Sequence, residues 1–376
     1  MKFPRERLIA VIITLIMLVL MFIVTAVASF SADDTPSVSA RSATLYEPTT
    51  KSFIYTKNAD ERLPFASTTK IMTALIAIEH GELDRQITVA DGACGIEGSS
   101  LYLKAGEVMT MRDLVTALML RSANDAAAAI AYAISGGIEE FADLMNERAL
   151  KLGLENTHFM NPHGLDAEGH YTTARELALI ASEAMRLPEF RNIAATYKAT
   201  VTNTDGDVRL VVNHNKLLRL YEGATGIKTG FTKKSGRCLV GAAERDGLTL
   251  ISVTIDAPDD WNDHEKLFDL GFASYEYKEL AEASQFSFTI PVIDAEGKTL
   301  TASNKQSLGV VLKRGEGEIT SETELPRYIT SSVREGDELG RVVFKQNGKI
   351  LGEISITADV NAPSEEQRRF FDFFKK

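Results

Sequence analysis

Cysteine is nearly absent from this sequence, which has two, Cys94 and Cys238, in 376 residues. One pair cannot staple a disulfide-dense scaffold, and no Cys-x-x-Cys occurs, which argues against a zinc ribbon or a dithiol redox centre. Both cysteines read best as small buried hydrophobes. The six histidines are scattered, no His-Glu-x-x-His is present, and no spacing suits a bound metal, so neither a metal nor any other cofactor is expected. Positive charge is also in deficit: 41 Lys and Arg against 52 Asp and Glu leave a net charge of −11. A nucleic-acid partner, which would leave a basic footprint, is thereby excluded. Internal repeats and low-complexity tracts are missing as well.

A long apolar run is what the sequence does have. Lys2, Arg5 and Arg7 precede an uncharged stretch from Leu8 to Ala28 that closes on the small-x-small triplet Ala26-Val27-Ala28. As a helix it would be about 30 Å long, enough to cross a bilayer's hydrocarbon core. Residues 1–32 therefore read as either a cleaved signal peptide or a retained anchor. Both place the rest of the chain outside the cytoplasm, on the outer face of a membrane or in the cell-wall space.

Residues 33–278 mix strands and helices. Two alternating segments around a Pro48-Thr49-Thr50 turn read as antiparallel strands. Helices are predicted from Ser67 to a stop at Gly81, over MRDLVTALML, over DAAAAIAYAIS to Gly136-Gly137, and over TTARELALIASEAM capped by Thr172 or Thr173. Three strands follow, GIKTGFT, GRCLVGAAER and LTLISVTIDA, the last two joined over Asp246-Gly247. Strands first, helices in the middle and strands last predict an α+β fold, one antiparallel sheet closed by both ends of the region with a helical cluster on it. Residues 286–360 show only short alternating strands and predict a separate small all-β domain. Residues 361–376 place four phenylalanines among basic residues, the composition of an amphipathic segment at a membrane surface, or of a helix docking on its own domain.

Three short motifs are candidates for chemistry. In Ser67-Thr68-Thr69-Lys70 the serine and lysine lie on one helical face. The hydroxyl sits where free N–H groups favour developing negative charge, and a desolvated lysine could take its proton. Capping alone would account for that serine. Ser122-Ala123-Asn124 lies between two apolar helices and could push a hydroxyl and an amide into a cleft, although Asn124 or Asp125 could equally be the cap of the alanine-rich helix. Lys228-Thr229-Gly230, followed by Phe231, places a cation on a strand whose glycine permits close backbone approach. Each motif is weak alone. Their order, Ser-x-x-Lys then Ser-x-Asn then Lys-Thr-Gly, is highly specific to penicillin-recognising acyl-transfer enzymes.

Over about residues 38–275 the chain resembles the D-Ala-D-Ala carboxypeptidases among the low-molecular-mass penicillin-binding proteins, with YTKNADERLPFASTTKIMTALIAIE, MLRSANDAAAAIA and GATGIKTGFTKKSGRCLVGAA as its clearest segments. The β domain and tail are similar to that family more loosely. The resemblance implies Ser67 as nucleophile, Lys70 as its general base and Ser122 as proton relay. It implies that Asn124, Lys228, Thr229 and Gly230 bind substrate, and that the Ser67 and Phe231 N–H groups form an oxyanion hole. The implied substrates are peptidoglycan pentapeptide stems, with β-lactams as acylating inhibitors. His214 stands where some members carry an arginine near the substrate carboxylate, and reads as a weaker substitute or a surface residue. A D,D-endopeptidase would share the site, a β-lactamase would need a deacylating carboxylate that ENTHF does not supply, and a decayed wall-binding scaffold would not keep the motifs intact.

Overall fold

The structure is a computed structural model and describes residues 36–295 and 297–363. The apolar N-terminal run and the phenylalanine-rich tail lie outside the described residues, and among those described no helix is long and apolar enough to cross a membrane. Strands β1 (Ser42–Glu47) and β2 (Ser52–Lys57) come first. The Glu47 carboxylate closes their turn, accepting the N–H groups of Thr49 at 2.8 Å and Thr50 at 2.7 Å. A 3₁₀ turn, Ala66–Thr69, leads into α1 (Lys70–Glu79). A small ladder, β3 (Gln86–Thr88) with β4 (Val108–Thr110), precedes α2 (Met111–Leu120), α3 (Asn124–Ser135) and α4 (Ile138–Lys151). Next come α5 (Ala174–Met185), α6 (Pro188–Ala195), the hairpin β5 (Lys198–Thr202) and β6 (Val208–Val212), and the single turn α7 (Leu217–Leu220). Strands β7 (Ala224–Thr232), β8 (Gly236–Arg245) and β9 (Leu248–Ile255) and helix α8 (Asp260–Ser274) complete this part.

The central sheet has the order β2-β1-β9-β8-β7, antiparallel throughout. Both ends of the region thus meet in one sheet, as the strand–helix–strand pattern predicts. The β8–β9 turn is tight because Asp246 and Gly247 both take positive φ, 48° and 80°, and Arg245 pairs with Leu248 across it. The α5 cap is Thr173, whose side chain accepts the Glu176 N–H.

Helix α1 decides where the site lies. Every residue from Lys70 to Ile78 is buried, because the segment is apolar nearly all round and can only be satisfied at the centre of the helical cluster. Each large apolar side chain there, such as Ile71, Met72, Leu75 and Ile76, contributes roughly 1.5–3 kcal/mol on burial. That sum offsets the cost of burying a lysine in the first turn. The N-terminus of α1 is consequently fixed in depth and direction against the edge strand β7.

Beyond α8 the chain runs through β10 (Tyr275–Ala281), β11 (Ser287–Pro291), β12 (Thr299–Ser303), β13 (Leu308–Lys313), β14 (Ile319–Glu324), β15 (Glu338–Gln346) and β16 (Lys349–Ala358). β10 pairs with β13, and the rest stack in the order β11-β12-β16-β15-β14. Leu300, Val342, Phe344, Ile354 and Ile356 fill this second core. The C-terminal portion is all-β among the described residues, in accord with the sequence reading.

Candidate active site

Ser67 sits on a turn that several groups hold in place. Ala66 adopts φ 48°, in the left-handed region. Gly164, at φ 82°, passes so close beneath that a Cβ there would lie 2.0 Å from the Ala66 carbonyl oxygen. The Thr69 hydroxyl donates to that carbonyl at 2.7 Å and lies 2.8 Å from His170 Nε2. His170 Nδ1 accepts the Met160 N–H at 3.0 Å, so Nε2 carries the ring proton and donates to Thr69. The imidazole stacks on Phe65 at 4.8 Å. Gly164→Ala is therefore expected to displace the turn, lowering stability by about 2–3 kcal/mol and turnover by an order of magnitude or more. Parallel denaturant melts and activity assays check this, and an unchanged melt with full activity would contradict it.

Lys70 is completely buried. Its Nζ lies 2.9 Å from Ser67 Oγ, donates to Asn124 Oδ1 at 2.7 Å and also donates to the His163 carbonyl. Burial first, and then the neighbouring Lys228 charge, hold the Lys70 amine well below the ordinary lysine range, with Asp125 opposing. Lys228, also buried, donates to the Thr229 carbonyl at 3.0 Å, and its burial lowers its pKa to about 7.

Asn124 is no helix cap. Its Oδ1 accepts a hydrogen bond from Lys70 Nζ, its Nδ2 donates to the Glu97 carbonyl at 2.6 Å, and its backbone N–H donates to the Ser99 carbonyl at 2.7 Å. The residue capping α3 is Ala123, without a side-chain bond. Asp125 accepts the Ala126 N–H but spends most of its capacity on the loop opposite, taking Ser100 Oγ at 2.6 Å and the N–H groups of Leu101 and Leu103 at 2.9 Å each. The capping alternative is thus corrected: both side chains join the loop of residues 97–103 to the start of α3. Ser122, at φ 61°, is a strained non-glycine turn residue buried at the cleft wall.

Gly230 brings β7 against the nucleophile turn, since a Cβ there would lie 3.0 Å from the Ser67 nitrogen and 3.1 Å from that of Thr68. An open cleft of about 380 Å³ results, lined by Ser67, Ser122, Thr229, Gly230 and Phe231. Lys70, Asn124 and Lys228 lie buried behind them. All eight sequence-predicted residues are therefore in one place. His214 also lines the cleft, and burial, then the Lys228 and Arg121 charges, lower its pKa, which disfavours its cationic form. Cys94 and Cys238 are both free thiols; Cys238 is buried and Cys94 only partly so.

Five cleft residues were not anticipated: Ser99, Lys216, Arg237, Asp260 and Trp261. Arg237 pairs with Phe231 across β7 and β8, and its Nη2 donates to Asp260 at 2.7 and 2.9 Å. Asp260 stands in the first turn of α8, and Arg237 also lies over the Trp261 ring at 5.7 Å. The available signal was the short Lys233-Lys234-Ser235 turn, which carries the chain back from Phe231 so that the start of β8 faces the cleft.

An antiparallel sheet backed by helices, with a serine hydroxyl against a buried lysine amine in an open cleft, defines a serine acyl-transfer enzyme. The comparisons make it specific. Residues 29–259 match the D-alanyl-D-alanine carboxypeptidase family, residues 275–364 match the penicillin-binding protein 5 C-terminal domain, and the chain belongs to that carboxypeptidase family. It is 33% identical over 329 residues to D-alanyl-D-alanine carboxypeptidase DacF of Bacillus subtilis, covering 85% of each chain. To DacC of Escherichia coli it is 32% identical, covering 88% of this chain and 86% of the relative. Among solved structures, penicillin binding protein 5 of Haemophilus influenzae aligns with a TM-score of 0.66 at 27% identity, over 87% of this chain and 98% of that one. The Streptomyces K15 DD-transpeptidase aligns with a TM-score of 0.60 at 34% identity, over 63% and 98%. The protein is a serine-type D-alanyl-D-alanine carboxypeptidase.

Proposed function

We propose that the enzyme removes the terminal D-alanine from peptidoglycan stem peptides through an ester on Ser67. The observation that carries this reading is the 2.9 Å contact between Ser67 Oγ and the amine of a fully buried Lys70. Burial beside Lys228 shifts that amine toward its unprotonated form, which can accept the hydroxyl proton. The alkoxide adds to the carbonyl carbon of the D-Ala–D-Ala bond, and the resulting oxyanion is held by the N–H groups of Ser67 and Phe231, each donor supplying about 3 kcal/mol. Ser122 passes the proton to the departing amine, the C–N bond breaks and D-alanine leaves. Asn124 holds the peptide while Thr229 and Lys228 orient the terminal residue. Water then attacks the ester, Lys70 again taking a proton, and Ser67 is restored.

A β-lactam presents a similar acyl group and would remain on Ser67. Residues 1–32 would export the chain and hold it at the outer face of the cytoplasmic membrane until any cleavage, and the 361–376 tail would add a surface contact. Residues 33–278 would form the catalytic unit, with the 286–360 β unit holding it off the membrane. Purified full-length enzyme given a D-Ala-D-Ala-terminated pentapeptide should release free D-alanine, and should take up labelled penicillin at Ser67. A cross-linked dimer cut in preference to the pentapeptide would instead favour endopeptidase action.

A further inference from the structure

To act as a base, Lys70 must turn a lone pair, not an N–H group, toward Ser67. A protonated lysine amine has three N–H donors, and loss of one proton leaves two beside a lone pair. Both remaining donors face carbonyl oxygens: Asn124 Oδ1 at 2.7 Å and the main chain of His163. With those two bonds made, the lone pair is left for Ser67 Oγ at 2.9 Å. The aim of the base thus depends on which end of the Asn124 amide faces it. A flipped amide would set N–H groups against the amine.

The loop of residues 97–103 decides that orientation. The Glu97 carbonyl accepts from Asn124 Nδ2 at 2.6 Å, and the Ser99 carbonyl accepts the Asn124 N–H at 2.7 Å. Gly98, at φ 87°, passes so near that a Cβ there would lie 2.9 Å from Asn124 Nδ2. The loop is gripped in turn by the next residue of α3. The buried Asp125 carboxylate accepts Ser100 Oγ–H at 2.6 Å and the N–H groups of Leu101 and Leu103 at 2.9 Å each. Such charge-assisted bonds are roughly twice as strong as neutral ones.

Resting on the carboxypeptidase reading, we propose that Asp125 is a positioning residue for acyl transfer: it fixes the 97–103 loop, the loop orients the Asn124 amide, and the amide aims Lys70 at Ser67. The Asp125 charge acts on the same amine. Lys228, from β7, disfavours protonated Lys70, and Asp125, from α3, favours it. His163 and His170, whose pKa values burial lowers to about 3 and about 4, add no charge near neutral pH. Removing the Asp125 charge therefore lowers the Lys70 pKa, the opposite of removing the Lys228 charge.

The test uses full-length enzyme and a D-Ala-D-Ala-terminated pentapeptide, with rates expressed per penicillin-labelled site so that misfolded molecules are not counted. Asp125→Asn keeps the side chain's size but sets an N–H group against the donors of the loop. Its kcat should fall about 10- to 100-fold with KM within about threefold, and the acid limb of its kcat/KM profile should move to lower pH. Ser100→Ala removes one loop bond and no charge. Its kcat should fall about 3- to 10-fold with the acid limb in place. A purely structural Asp125 would move neither quantity, so wild-type turnover per site in Asp125→Asn, or an acid limb that stays put, overturns the proposal. Should Asp125→Asn fail to fold, Ser100→Ala decides, and a wild-type kcat there overturns it. Failure of wild type to release D-alanine would instead strike the underlying reading.

Discussion

Ser67→Ala is expected to reduce D-alanine release by about four to six orders of magnitude and to leave labelled penicillin unincorporated. The reasoning is local. Removing one oxygen deletes the only atom that Lys70 faces on the cleft side, while Lys70 keeps its bonds to Asn124 and the His163 carbonyl. The turn beneath is held by Gly164, Thr69 and His170 rather than by the Ser67 hydroxyl. The variant should therefore melt within about 1 kcal/mol of wild type, separating lost chemistry from lost fold. Because the hydroxyl and amine act as a unit, Ser67→Ala combined with Lys70→Met should be hardly slower than either alone. Labelling that persists in Ser67→Ala, for instance on Ser122, would assign the nucleophile elsewhere.

Much of this site was legible because acyl transfer by serine and lysine needs several short motifs at once. Ser67, Lys70, Ser122, Asn124 and Lys228 were readable as an ordered set although each had an ordinary capping or surface explanation. The central sheet was equally readable, since β1, β7, β8 and β9 are short strand-like segments bounded by clear turns. What escaped notice lacks contrast. Helix α8 buries Asp260, Asp263 and His264 on its inner face, where Asp263 accepts the Ser39 N–H and His264 meets Ser252 and Thr254, so no apolar stripe announces it. Helix α4 does carry a stripe at Phe141, Met145 and Ala149, but Glu139, Glu140, Asp143 and Glu147 crowd the same window. Strand β14 is exposed along nearly its whole length and reads as a polar loop. The Arg237–Asp260 pair was invisible for a different reason: it joins residues 23 apart whose meeting depends on α8 packing back over β8.

Lys228 offers the test in which stability and activity should move in opposite directions. A buried ammonium is costly, and burial lowers the Lys228 pKa from the ordinary lysine value near 10.5 to about 7. Between those two pH values the unfolded chain holds the proton more firmly than the folded one. Stability therefore rises with pH across that window, by up to about 1.4 kcal/mol per unit from this group, and the penalty is fully present below pH 7. Lys228→Met removes the titration and loses one bond, to the Thr229 carbonyl, worth about 1 kcal/mol. The variant should accordingly be more stable than wild type at pH 6, with the advantage shrinking toward pH 10. Its kcat/KM should fall about 100- to 1,000-fold at or below pH 7, where Lys228 carries its charge beside the reacting groups. Loss of that charge also relieves Lys70, whose pKa rises, so the acid limb of the remaining pH–rate profile should shift upward. Urea melts at pH 6, 8 and 10, set beside the two pH–rate profiles, measure all of this. A stability difference that stays constant with pH would mean that Lys228 is not titrating in the folded enzyme, and an unshifted acid limb would break the electrostatic link between the two lysines.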